Sequence, residues 1–190
     1  AGCASAAAVG YAILTAGDLP ARCDPEEGFL ASANARPDFA SPVIGFHFSP
    51  PDRKARFVEI LSGETRFSVR DLMRLQCDVH HARALAMGRS LLAWLGETGS
   101  PGRRKPLITA LEDWDGNYDA ASHGALAFEL LLFHLARALV PARLRETYAS
   151  GWSLRGLVWA DLAAAAPATR AVALAHAVAA AAKDFGRGKP

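Results

Sequence analysis

Sulfur is scarce in this sequence, with three cysteines and two methionines in 190 residues. Cys3, Cys23 and Cys77 are too few and too irregularly spaced for a disulfide framework or a zinc ribbon. Cys3 and Cys23 are able to pair in an oxidising compartment, whereas Cys77, beside Leu75 and Val79 in a helical pattern, is expected as a small buried hydrophobe. Charge is also sparse, at 21% of residues against 51% hydrophobic, which excludes a disordered chain. The 21 Lys+Arg are interspersed with 19 Asp+Glu and form no basic stripe, so no nucleic-acid partner is expected. The longest Ala-rich run, Leu162 to Lys183, contains Pro167, Arg170 and His176, and alanine drives insertion weakly, so no membrane partner is expected either. No charged stretch followed by an apolar run and a cleavage site opens the sequence, and Ala1-Gly2-Cys3 is taken as ordinary chain rather than a lipoprotein site. No G-x-S-x-G, G-x-G-x-x-G, P-loop or H-E-x-x-H occurs, which removes local support for serine hydrolase elbows, dinucleotide sites and zinc proteases.

What the sequence has in quantity is alanine, 40 residues of 190, the residue that costs least in a helix interior. Before residue 50 the texture is nonetheless extended. Val9 to Leu14, Phe29 to Ala33 and Val43 to Phe48 are short apolar runs between Gly, Pro and Asp clusters, and predict two or three strands. After Pro50-Pro51 the spacing turns helical, with a short helix over 52–62 carrying Phe57, Ile60 and Leu61 on one side. Ser68 and Asp71 make a variant capping box opening a long helix that continues through Leu95 to Gly96. Thr98 to Pro106 is a loop, Leu107 to Trp114 a short helix ended by Asp115-Gly116, and Ser122 caps a helix through Leu139. The last helix spans 167–184, with Pro167 in its first turn. The organisation expected is a strand-rich segment, 1–50, and a helical segment, 51–190, which together make one partial α+β domain.

Three constellations invite chemistry. Asp113, Asp115, Asn117 and Asp119 alternate like calcium ligands, but Tyr118 stands where a glycine must turn and Gly124 where a bidentate Glu belongs, so a solvated turn is expected. Asp78, His80 and His81 cluster, but adjacent histidines on a helix point about 100° apart and need a further ligand, such as His134 or His123. In Phe29-Leu30-Ala31-Ser32-Ala33-Asn34-Ala35-Arg36-Pro37, an Asn ends the apolar run at a turn, a place from which its amide can donate to an oxyanion.

This last segment is similar to the strand and turn of the penicillin acylase family, amidohydrolases with an N-terminal nucleophile. The similarity extends through Ser41 to Phe48, Pro51-Asp52-Arg53, Ile60-Leu61, Arg66-Phe67-Ser68, Gln76-Cys77-Asp78-Val79 with Ala82-Arg83, and Trp114-Asp115-Gly116 followed by Ser122, Ala125 and Phe128. Asp18-Leu19-Pro20 and Pro25 to Phe29 resemble the approach to the Asn strand. The resemblance implies the mainly helical portion of an αββα hydrolase that cleaves the side-chain amide of a β-lactam or another N-acyl compound. It implies Asn34 as the oxyanion donor and Arg53 as an active-site Arg that keeps the site in order.

In the family the nucleophile is the N-terminal Ser of the large chain, far upstream of the Asn. Ala1 opens this sequence, so the expectation is an internal portion of a larger acylase, or a decayed or separately expressed remnant of one, partnered by the missing upstream segments and inactive alone. Some members place a calcium-binding Asp after the Asn strand; Pro42 stands there, and no cofactor is expected. Family members are often exported or periplasmic, and no signal in this stretch fixes the compartment. The alternative is a non-enzymatic helical interaction module packed through Phe57, Leu72, Val79 and Trp94.

Overall fold

The computed structural model describes residues 15–19, 21–37, 45, 48–63, 66–96, 105–145 and 154–187. Among them the regular structure is helical: α1 (Asp52–Gly63), α2 (Val69–Gln76), α3 (Ala82–Gly96), α4 (Lys105–Glu112), α5 (His123–Leu139), α6 (Leu154–Ala164) and α7 (Pro167–Arg187), with 3-10 turns at Ala16–Asp18 and Ala142–Leu144. No strand occurs among the described residues, and the one β-bridge joins His80 to Asn117. Phe29 to Ala33, expected as a strand, runs without a ladder. An extended run becomes a strand only when a neighbour takes up its hydrogen bonds, and the two other expected strands, Val9 to Leu14 and Val43 to Phe48, lie outside the described residues apart from Gly45 and Phe48.

The core is built on α5. Its apolar positions Ala125, Phe128, Leu131, Leu132 and Leu135 recur at helical spacing and are buried, and the helix packs most extensively on α7, then on α4 and α6. On α7 the facing stripe is mostly small, Ala173, Leu174, Ala177, Val178 and Ala181, closed by Phe185. Small side chains let two helices approach closely, and each fully buried Leu or Phe between them contributes about 1.5–3 kcal/mol. Trp94 of α3 stacks on Trp159 of α6 at 5.1 Å, with the Arg170 guanidinium 4.6 Å from the Trp94 ring. No helix among the described residues is long and apolar enough to cross a membrane.

The expected caps are present. Ser68 Oγ accepts from the Asp71 N–H at 3.3 Å and Asp71 Oδ2 accepts from the Ser68 N–H at 2.9 Å; Ser122 Oγ accepts from the Ala125 N–H at 3.2 Å. The single long helix expected after Ser68 is instead two, α2 and α3, interrupted at residues 77–81. There the Asp78 carboxylate accepts the His80 N–H at 2.8 Å, and the backbone pairs outward: His81 N–H to the Gly116 carbonyl at 2.9 Å and Tyr118 N–H to the Val79 carbonyl at 3.1 Å. An Asp that captures a nearby N–H offers the chain an alternative to the helix. Cys77, at the end of α2, is therefore exposed rather than buried, as is Cys23, and both are free thiols. Leu72 and Val79 are exposed too, so they do not act as core packing residues here. Helix α6 was not anticipated from the sequence, and α4 begins at Lys105, inside the expected loop.

Candidate functional site

The Asn34 turn and the start of α1 are stitched together. Asn34 sits in the left-handed region, φ 56°, which Asn tolerates better than most residues because its short polar side chain bonds locally. The Asn34 carbonyl accepts the Ser49 N–H at 2.8 Å, closing the segment between them. Arg53 Nη2 donates to the Ala33 carbonyl at 3.4 Å. Ala33 is buried, while the Asn34 and Arg53 side chains are exposed. The two residues singled out from the sequence are thereby brought to one place, with the guanidinium on the carbonyl that immediately precedes Asn34.

Behind Arg53, α1 faces the interrupted α2–α3 segment across a cavity of about 360 Å³. Its lining includes Asp52, Arg53, Arg56, Asp78, His80 and Arg83. Two ion pairs span it. Arg56 meets Asp78 through both Nε and Nη2 at 2.8 Å, and Arg83 Nη1 lies 3.6 Å from Asp52 Oδ1. Arg56 also reaches Glu59 at 3.1 Å. Burial works against the Arg56 charge, but the hydrogen bonds and charges of Glu59 and Asp78 outweigh it and hold the guanidinium above its ordinary range.

The Trp114–Tyr118 loop packs against His80, itself part of that lining. Gly116, at φ 91°, brings its backbone against His80, so that a β-carbon there would lie 3.0 Å from His80 Nε2. His80 Nδ1 is buried with no hydrogen-bond partner among the described residues. Asp115 accepts the Asn117 N–H at 2.9 Å and its side-chain amide at 2.7 Å; these bonds, followed by the His80 charge, hold its carboxyl below the usual range. The carboxylate is thus spent on closing its own turn. His134 pairs with Asp184 at 2.9 Å and His123 packs edge-on to Phe185, so neither converges with His80. No group of three or more His, Cys, Asp or Glu is placed to hold a metal among the described residues, and Pro42, at the expected calcium position, lies outside them.

The family profile described as Penicillin amidase matches residues 2–189, essentially the whole chain. The chain belongs to the penicillin amidase family. No curated protein and no solved structure matches it.

Membership of the penicillin amidase family makes hydrolysis of an amide bond the chemistry to be explained. Sequence reasoning singled out Asn34 and Arg53, which the structure places together, and did not single out the polar residues beside them, Arg56, Asp52 and Arg83. Asp78 was noted only as part of a cluster with His80 and His81 that lacked the geometry of a metal site, and its carboxylate is taken by Arg56.

Proposed function

We propose that the chain carries the oxyanion side of a penicillin acylase-like active site, acting on the side-chain amide of a β-lactam or another N-acyl compound. In this reading the N-terminal nucleophile of the family attacks the amide carbonyl, its own α-amine takes the proton, and negative charge develops on the carbonyl oxygen. The Asn34 amide donates to that oxygen, and Arg53 keeps the turn in order through the Ala33 carbonyl. Collapse of the tetrahedral intermediate expels the amine, which takes that proton back from the α-ammonium as the C–N bond breaks, and water then hydrolyses the acyl ester, giving its proton to the α-amine and releasing the acid. The observation that carries the reading is the exposed Asn34 in a left-handed turn with Arg53 bonded to the preceding carbonyl.

The test is made in the native enzyme on a chromogenic phenylacetyl or fatty-acyl amide. Asn34→Ala should lower kcat by about 10²–10³, the usual cost of an oxyanion donor. Asn34→Gly separates the amide from the backbone, since glycine accepts the left-handed conformation. Equal losses in both variants support the role; recovery in the glycine variant, or near-wild-type rates in both, would remove it.

A further inference from the structure

Helix α1 carries Arg53 but has no fully buried residue, and its Phe57, Ile60 and Leu61 stripe is only half-buried. Apolar packing is non-directional and leaves such a helix free to rock or slide. What fixes it is polar. Arg56, one turn beyond Arg53, grips Asp78 through two nitrogens at 2.8 Å, and Asp52, the residue before Arg53, faces Arg83 of α3 at 3.6 Å. Asp78 is 15% and Arg56 28% exposed, so this pair is partly shielded from water, where an ion pair is stronger than at a surface. Two N–H donors on one carboxylate also fix the guanidinium's orientation, which a single point contact does not. Asp78 is itself held, because its other oxygen accepts the His80 N–H and the 79–81 backbone is bonded to the 116–118 loop.

We propose that Asp78, acting through Arg56, is a positioning residue of the active site: it sets the rotation and register of α1 so that Arg53 meets the Asn34 turn, with Asp52 and Arg83 as a second, weaker anchor. The inference rests on the reading of Asn34 and Arg53 given above. Misplacing a group that orders an active site by about 1 Å costs up to about 100-fold in rate, so the effect belongs in kcat.

A double-mutant cycle tests it in the native enzyme, with the chromogenic amide as probe. Arg53→Lys and Asp78→Asn should each lower kcat by about 10- to 100-fold with KM little changed. The double variant should be no more than about 3-fold worse than Arg53→Lys alone, because Asp78 has nothing left to position. Losses that multiply, or a lowered melting temperature in Asp78→Asn with kcat intact, would overturn the positioning role while leaving Arg53 in place. An Arg53→Lys variant of wild-type kcat would instead overturn the underlying reading, and the inference with it. Should Asp78→Asn fail to fold, Arg56→Lys serves in the same cycle: it keeps the charge and removes the two-nitrogen grip, and the same non-additivity with Arg53→Lys is required.

Discussion

Replacing Gly124 by alanine adds one methyl group to the first turn of α5, where the structure leaves no room for it. A β-carbon at that position would lie 2.5 Å from Trp114 Cγ and 2.7 Å from Cδ1, and would also collide with Trp114 Cβ. Those atoms are the root of the side chain, where no rotamer change moves them away. The ring is further constrained: it stacks on Phe128 at 5.1 Å, meets Tyr118 edge-on at 5.4 Å and donates from Nε1 to the Asn117 carbonyl at 2.9 Å. Overpacking against a rigid neighbour costs about 1–3 kcal/mol, and losing the indole bond adds about 1. The gain in helix propensity on replacing glycine returns at most about 1 kcal/mol. The net is a destabilisation of about 1–3 kcal/mol, or about 2–12 °C in melting temperature for a chain of this size. Gly186→Ala is the control. The same substitution in α7, with nothing within 4 Å of the new carbon, should raise the melting point by about 1–2 °C. Scanning calorimetry on the two variants checks both signs. A Gly124→Ala protein melting at or above wild type would refute the close approach of α5 to Trp114.

Two further outcomes follow from local geometry. Gly116→Ala forces an L-residue to φ 91° and sets its methyl 3.0 Å from His80 Nε2 and 3.2 Å from Leu85 Cβ; it should cost about 1–3 kcal/mol and shift the imidazole resonances of His80, and unaltered resonances with an unchanged melting point would contradict it. The Asp71 carboxyl is held below 3.8 by the Ser68 hydroxyl and then by the Ser68 N–H. A carboxylate whose pKa is lowered on folding stabilises the fold fully above its unfolded value and loses that contribution as pH falls through the folded one. Asp71→Asn should therefore melt below wild type at pH above the ordinary carboxylate range, with the gap closing as pH falls through the lowered folded value; a gap undiminished in acid would show that the charge is not what caps α2.

How much was legible varies with how local the cause is. The Ser68 and Ser122 caps, the helix after Pro51 and the first-turn Pro167 were readable because a cap or a breaker acts within four residues. The break at residues 77–81 was not, because Leu72, Leu75, Val79 and Ala82 continue the helical period straight across it. Its cause is the pairing of that segment with Gly116 and Tyr118, which no periodicity reveals. The same holds for the site. Asn34 and Arg53 were singled out by resemblance, and Arg53 donates to the carbonyl of the residue before Asn34, but the partners of Arg56 and Arg83 depend on how α1 lies over α2 and α3. Phe29 to Ala33 has strand composition, and composition specifies an extended backbone without specifying the neighbour that makes a strand.

The two sides of the molecule rest on different physics. α5 and α7 are joined by fully buried apolar contact, which is strong, insensitive to pH and tolerant of small rotations. α1, α2 and the Asn34 turn bury almost nothing completely and are joined by directional bonds: Asn34 to Ser49, Ala33 to Arg53, Arg56 to Asp78, Asp52 to Arg83. Segments with few buried contacts sit at the low-stability end of a fold, where local opening is cheapest. Under the proposed function, a surface that admits an acyl substrate cannot be sealed by apolar packing, yet an oxyanion donor has to be held to a fraction of an ångström. Directional polar contacts meet both demands, fixing orientation while leaving the face open. Function should therefore be more sensitive than stability to substitutions in α1 and at Asp78, and the reverse should hold in α5 and α7.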